Sequence, residues 1–133
     1  MIVAEIGLNH LCNKKLLHSY LKLASSADAI TIQILSDSFY QDKRYASFKL
    51  SDKEIRDFID QAYRIGYKVG LVIDSYQLVE KYNSSKISFY KILSKDVNNS
   101  NLFEAISETS VDDIYLSTGM SHYDELDKII PDL

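Results

Sequence analysis

Five short apolar runs, each followed by a helical pattern, constrain this chain more than any other feature of it. The runs are IVAEIG at 2–7, DAITIQI at 28–34, YKVGLVID at 67–74, ISFYKIL at 87–93 and DIYLS at 113–117. The clearest helix lies between the second and third. Ser51 and Glu54 form a capping box. Ile55, Phe58, Ile59, Ala62 and Tyr63 then recur at the i, i+3, i+4, i+7, i+8 spacing of one apolar face. Gly66 stands where a left-handed residue would stop the helix. Leu17, Tyr20, Leu21 and Ala24 make a similar stripe in the first helix. In the last, Ser121 with Asp124 reads as an S-x-x-D cap, and Leu126, Ile129 and Ile130 as the face. Less regular helical patterns occupy 102–109 and 76–82.

Alternation of this kind predicts parallel βα units. An open doubly wound sheet and part of a barrel both satisfy it, and the strand faces separate them. Successive strand residues point to opposite sides. One set is Ile2, Ala4, Ile6; Ile30, Ile32, Ile34; Val69, Leu71, Ile73; Ser88, Tyr90, Ile92; and Ile114, Leu116. It is apolar enough to lie under helices. The other set is Val3, Glu5, Gly7; Ala29, Thr31, Gln33; Gly70, Val72, Asp74; Phe89, Lys91; and Tyr115, Ser117. It turns polar toward the C-terminal strand ends. A doubly wound sheet needs two apolar faces, whereas a barrel has one helix-covered face and a lumen with its site at the C-terminal end. The expected fold is α/β: a partial (β/α)8 TIM-type barrel of about five units around a parallel sheet, with residues 1–133 as one domain.

Lys91 lies inside an apolar strand run, and an unpartnered buried ammonium is costly. Alternation aims it into the lumen, toward Glu5, Gln33 and Ser117. Two readings follow: an internal ion pair with Glu5, or an anion-binding site at the barrel mouth.

Composition narrows the function classes. A net charge of −4 argues against broad binding to nucleic acid or anionic membranes. No window approaches the roughly 18 apolar residues of a membrane span. The N-terminus lacks the basic start and apolar run of a signal peptide, and the single cysteine, Cys12, cannot form an intrachain disulfide. A cytoplasmic protein is expected. The three histidines, His10, His18 and His122, make no H-x-H or H-E-x-x-H pair, so no metal site is assigned within this chain.

Four segments together carry a family resemblance: AEIGLNH at 4–10, FKLSDKEIRDFIDQAYRIGY at 48–67, YKILSKDVNNSNLFEAI at 90–106 and YLSTGMSHYDEL at 115–126. In their order and spacing the chain resembles the N-acetylneuraminate (sialic acid) synthase family. Enzymes of that family condense phosphoenolpyruvate with an N-acetylmannosamine-type sugar on a barrel that binds a divalent metal, usually manganese or magnesium. The resemblance implies that Lys91, Ser94 and Ser117 match positions holding phosphoenolpyruvate, and that Gln33 matches a retained glutamine on the second strand. Glu5 matches a sugar-contacting glutamate. Asp96 stands where an acidic group lies near the sugar, a candidate general acid/base or orienting group. Asn9 and His10 match an Asn-His pair near the site.

The departures are equally specific. The family pattern K-x-Q on the second strand reads T-I-Q here, so Thr31 stands in place of a phosphate-binding lysine. Val72 stands in place of a phosphate-holding threonine. A full barrel takes eight units, typically about 250 residues, so five are accounted for. The resemblance places the two metal-binding histidines and an antifreeze-like domain beyond them. The expectation is a synthase-like domain that pairs with a second-half chain or a second copy, or else a non-catalytic remnant or binding module. Any phosphoenolpyruvate or phosphate binding by it should be weak.

Overall fold

The structure, a computed structural model, describes residues 1–111, 113–119 and 121–129. Five strands are present: β1 (Val3–Ile6), β2 (Ala29–Ile34), β3 (Lys68–Ile73), β4 (Ile87–Ile92) and β5 (Asp113–Leu116). Each is followed by a helix: α1 (Lys14–Leu23), α2 (Asp52–Ile65), α3 (Tyr76–Tyr82), α4 (Ser100–Ser107) and α5 (Tyr123–Ile129). The strands run in the order β1-β2-β3-β4-β5 and every pairing is parallel. A doubly wound sheet reverses its strand order at a switch point. This one does not, so the chain winds in one direction, as a barrel does.

The helices begin and end where local chemistry dictates. The Asn13 side chain accepts from the amides of Lys15 and Leu16 and starts α1. Both halves of the Ser51–Glu54 capping box form at the start of α2. Gly66 ends α2 at φ 104°, a left-handed conformation that costs glycine nothing. The Asn99 side chain caps α4 by accepting from the Leu102 amide.

Two sequence expectations change at helix surfaces. Tyr63, placed with the apolar face of α2, is 52% exposed; it lies two turns from Ile55, at the stripe's margin, where a tyrosine can leave its polar tip in water. At the start of α5 the His122 amide donates to Glu125 Oε2 at 2.8 Å. The reciprocal carboxylate is therefore Glu125 rather than Asp124. Of the expected α5 face, Leu126 is half-buried, while the Ile129 side chain and Ile130 lie outside the described residues.

One apolar core sits between the sheet and the helices. Ile30, Ile32, Val69, Leu71, Ile73, Tyr90 and Ile92 meet Leu17, Leu21, Ile55, Phe58, Ile59, Val79, Leu102 and Ile106 in a single cluster. Tyr90 is fully buried and donates to Asn83 Oδ1 at 3.1 Å; burial pushes its phenol up to about 12. The start of β4 departs from strict alternation. Val69 pairs with Ile87, but Gly70 pairs with Phe89, so Ser88 is an extra residue. This bulge puts Ile87, rather than Ser88, into the helix-side core.

The other face carries a thinner buried layer of Ala29, Thr31, Val72 and Phe89. Its curvature can be read from one contact. Lys91 Nζ lies 2.5 Å from Glu5 Oε2, although β4 and β1 are three strand spacings apart. In a flat sheet that would be about 14 Å of backbone separation, more than these two side chains span. The sheet therefore curls toward this face, which is the lumen side of an arc of barrel. Among the described residues β1 and β5 each pair on one side only. Val3, Ile114 and Tyr115, which they carry, are exposed. No helix among the described residues is long and apolar enough to cross a membrane.

Candidate active site at the lumen mouth

The polar residues of the lumen face collect where barrel chemistry is expected, at the C-terminal strand ends. Glu5 lies one residue before the end of β1 and Lys91 one before the end of β4. Their side chains form the 2.5 Å ion pair, with Glu5 49% exposed and Lys91 22% exposed. The lysine in the apolar run thus has its partner. Half-exposed pairs are weak. Removing Glu5, however, leaves the more buried ammonium uncompensated. Glu5→Gln should therefore cost about 1–2 kcal/mol in a urea titration. That cost should fall at high salt and vanish on a Lys91→Met background. An unchanged midpoint in Glu5→Gln would show that the pair contributes nothing.

Ser94 opens the turn Ser94–Asp96 directly after β4 and is half-buried. Ser117 follows β5, and its amide donates to the Ile92 carbonyl at 3.0 Å, extending the ladder by one step. The two serines thus stand at the ends of neighbouring strands. Gln33, next to last in β2, extends its side chain toward β1; its Oε1 is 3.1 Å from where a Cβ on Gly7 would lie. Asp96 is mostly buried, and Lys95 Nζ lies 2.8 Å from its Oδ2.

Asn9 and His10 are placed differently. Both belong to the turn Leu8–His10 after β1. Asn9 is exposed, and its carbonyl accepts from the Tyr20 hydroxyl. His10 is buried and its Nδ1 accepts from the Cys12 amide at 3.0 Å. Burial lowers its pKa, against the opposing field of Glu54 at the start of α2. His10 is thus tied to its own turn through Nδ1, with no hydrogen bond or ion pair to Lys91 or Glu5 among the described residues.

Sequence reasoning did not assemble a second polar group at the mouth. Asp74 follows β3 on the lumen face, with its side chain only 4% exposed. Its Oδ1 accepts from the Ser36 amide at 2.7 Å and its Oδ2 from the Ser36 hydroxyl at 3.1 Å. Lys95 Nζ approaches Asp74 Oδ2 at 3.4 Å. Ser36, Asp74, Lys95 and Asp96 therefore link the ends of β2, β3 and β4. The available signal was an aspartate ending an apolar strand in LVID. A cavity of about 230 Å³ lies nearby, lined in part by Gln33, Tyr40, Lys49, Asp52, Lys81 and Tyr82. Its lysines are committed to Asp37 at 2.8 Å and Asp52 at 2.7 Å.

The divalent metal implied by the family resemblance finds no fitting ligand set. Among the described residues no three His, Cys, Asp or Glu side chains come together to hold an ion, and His10 already uses Nδ1. The mouth can bind and orient through hydroxyls, carboxylates and two ammoniums.

Comparison with known proteins bears on this arrangement. The NeuB family model matches residues 16–133. The chain is similar to the structure of N-acetylneuraminic acid (sialic acid) synthetase from Leptospira borgpetersenii serovar Hardjo-bovis. The TM-score is 0.85 at 21% identity, over 98% of this chain and 48% of that one. It is also similar to a candidate spore coat polysaccharide biosynthesis protein E from Chromobacterium violaceum. Here the TM-score is 0.79 at 18% identity, over 97% and 44% of the two chains. The chain thus spans about half the length of these structures, and at such identities the likeness concerns the fold. No curated protein matches it.

Proposed function

Because the chain belongs to the NeuB family, we propose that it is a substrate-binding part of a sialic acid synthase-type barrel, acting in carbohydrate biosynthesis. The family reaction joins carbon 3 of phosphoenolpyruvate to the aldehyde carbon of an N-acetylmannosamine-type sugar. Water adds at carbon 2 and inorganic phosphate leaves. The observation that supports this reading is the Lys91–Glu5 pair on the lumen face at the C-terminal strand ends, with Gln33 next to last in β2, Ser94 and Asp96 on the turn after β4 and Ser117 directly after β5. Lys91 and the two serine hydroxyls would hold the phosphate and carboxylate of phosphoenolpyruvate. Glu5 and Asp96 would meet the sugar hydroxyls, and Asp96 would orient the sugar or move a proton.

These five strands alone do not complete the site. Among the described residues β1 and β5 each pair on one side only, so these strands by themselves leave the lumen face open to water, which weakens every electrostatic contact there. Further parallel strands, from a second-half chain or a second copy, would cover both edges, since unpaired edges invite pairing. A second reading, a binding module without catalysis, is favoured by one observation. At the two positions where the family holds phosphate stand the buried Thr31 and Val72, which bring no charge.

The test is to incubate the purified 133-residue chain with phosphoenolpyruvate, N-acetylmannosamine and manganese, and to follow phosphate release and sugar-acid formation. No product above background is expected, together with saturable shifts of the Glu5, Gln33 and Asp96 amides on adding the sugar alone. Light scattering on the same sample should show association as concentration rises. Turnover by a monomer would overturn the claim of an incomplete site; a sugar that shifts no lumen amide would overturn the substrate reading.

A further inference from the structure

Tyr115 pairs with Lys91 across β4 and β5, and paired parallel strands lie only about 4.8 Å apart. It also stands two residues before Ser117, so strand alternation puts the two on the same side of β5. Tyr115 is therefore the immediate neighbour of two groups to which the family resemblance assigns phosphoenolpyruvate. Its ring is 38% exposed. It meets the buried Phe89 ring edge-on, with centroids 5.0 Å apart and planes at 81°. Phe89 precedes Lys91 by two residues in β4, so this contact holds the Tyr115 ring on the lumen side. Among the described residues the fold uses the hydroxyls of Tyr20, Tyr67, Tyr82 and Tyr90 as donors, and that of Tyr115 is not one of them.

Lys91 has three N–H donors and one charge. Glu5 takes one of the donors and offsets part of the charge. The buried Thr31 and Val72 bring no second cation. An anion beside Lys91 therefore depends on uncharged donors, and a phenol hydroxyl is a good one.

We propose that Tyr115 is a further binding residue of the lumen site: its hydroxyl donates to a phosphate-bearing ligand held by Lys91 and Ser117. The inference rests on the lumen face binding such a ligand and deepens that reading by naming one more contact. The edge-on contact with Phe89 fixes the ring in advance, so little side-chain freedom is lost on binding. A structural role would use the ring alone, because Phe89 meets the ring and not the oxygen. The two roles therefore separate at Tyr115→Phe, which removes the oxygen and keeps the ring.

The experiment titrates inorganic phosphate into the isotopically labelled chain and follows the amides of Lys91, Ser94 and Ser117. Wild type, Tyr115→Phe, Tyr115→Leu and Lys91→Met are compared, each checked for folding by its urea midpoint. Wild type should saturate at roughly millimolar phosphate, and Lys91→Met should show no saturable shift. Tyr115→Phe should keep the wild-type midpoint yet need about tenfold more phosphate, the loss of one hydrogen bond to a charged group. Tyr115→Leu should lose the same affinity and, unlike phenylalanine, some stability. A folded Tyr115→Phe with wild-type phosphate affinity overturns the proposal and leaves the lumen site standing. Wild type without saturable shifts, or shifts that survive in Lys91→Met, removes the lumen phosphate site itself and the proposal with it.

Discussion

Phe58→Ala should lower the stability of this chain by about 3–5 kcal/mol. Phe58 is fully buried on the face of α2 that packs against β3, within the cluster that contains Val69 and Leu71. Truncating it removes apolar contact and leaves a cavity that rigid strands cannot close, and both losses add. The same helix supplies its own control. Tyr63 follows the same spacing in the sequence but is exposed, so Tyr63→Ala should change stability by less than about 0.5 kcal/mol. Urea unfolding followed by far-UV circular dichroism measures both. The Phe58→Ala midpoint should fall with the slope unchanged, since the surface exposed on unfolding is nearly the same. Equal effects at the two positions would mean that α2 does not pack through this face.

That contrast shows where the sequence was legible. Apolar spacing identified the strands and helices because burial repeats with the period of each element, and caps such as Ser51–Glu54 are local chemistry. The Lys91–Glu5 pair spans 86 residues, yet alternation alone put both groups on the lumen face. Whether they would touch was a matter of sheet curvature, which no local pattern records. Asp74, Lys95 and Ser36 were harder. Asp74 is 38 residues from Ser36 and 21 from Lys95. Their meeting depends on the register of three strands and on the turns that follow them. The motif that carries His10 records its place after β1 but not the hydrogen bond of its ring. That bond is set by the turn, where Leu11 and Cys12 are both at positive φ and the Cys12 amide donates to Nδ1. Periodicity finds faces; register and turn geometry decide which groups on those faces meet.

Register also governs the last expectation, that Gly70→Val costs about 2–3 kcal/mol. Gly70 lies in β3 between Thr31 and Phe89. A Cβ there would fall 2.2 Å from Phe89 Cε2 and 2.3 Å from its Cζ. The missing side chain is the space the Phe89 ring occupies. That ring is buried and meets Tyr115 edge-on, with centroids 5.0 Å apart. It cannot move aside without giving up this contact. Valine is otherwise a good strand residue, so the cost should belong to the clash alone. On a Phe89→Ala background the same Gly70→Val change should therefore be neutral or stabilising, a coupling that a double-mutant cycle reads directly. The consequence reaches the mouth, because Tyr115 pairs with Lys91 across β4 and β5. Displacing the ring should shift the Lys91 amide in Gly70→Val. A Gly70→Val protein with wild-type stability and an unmoved Lys91 signal would show that the Phe89 ring does not hold the space over Gly70.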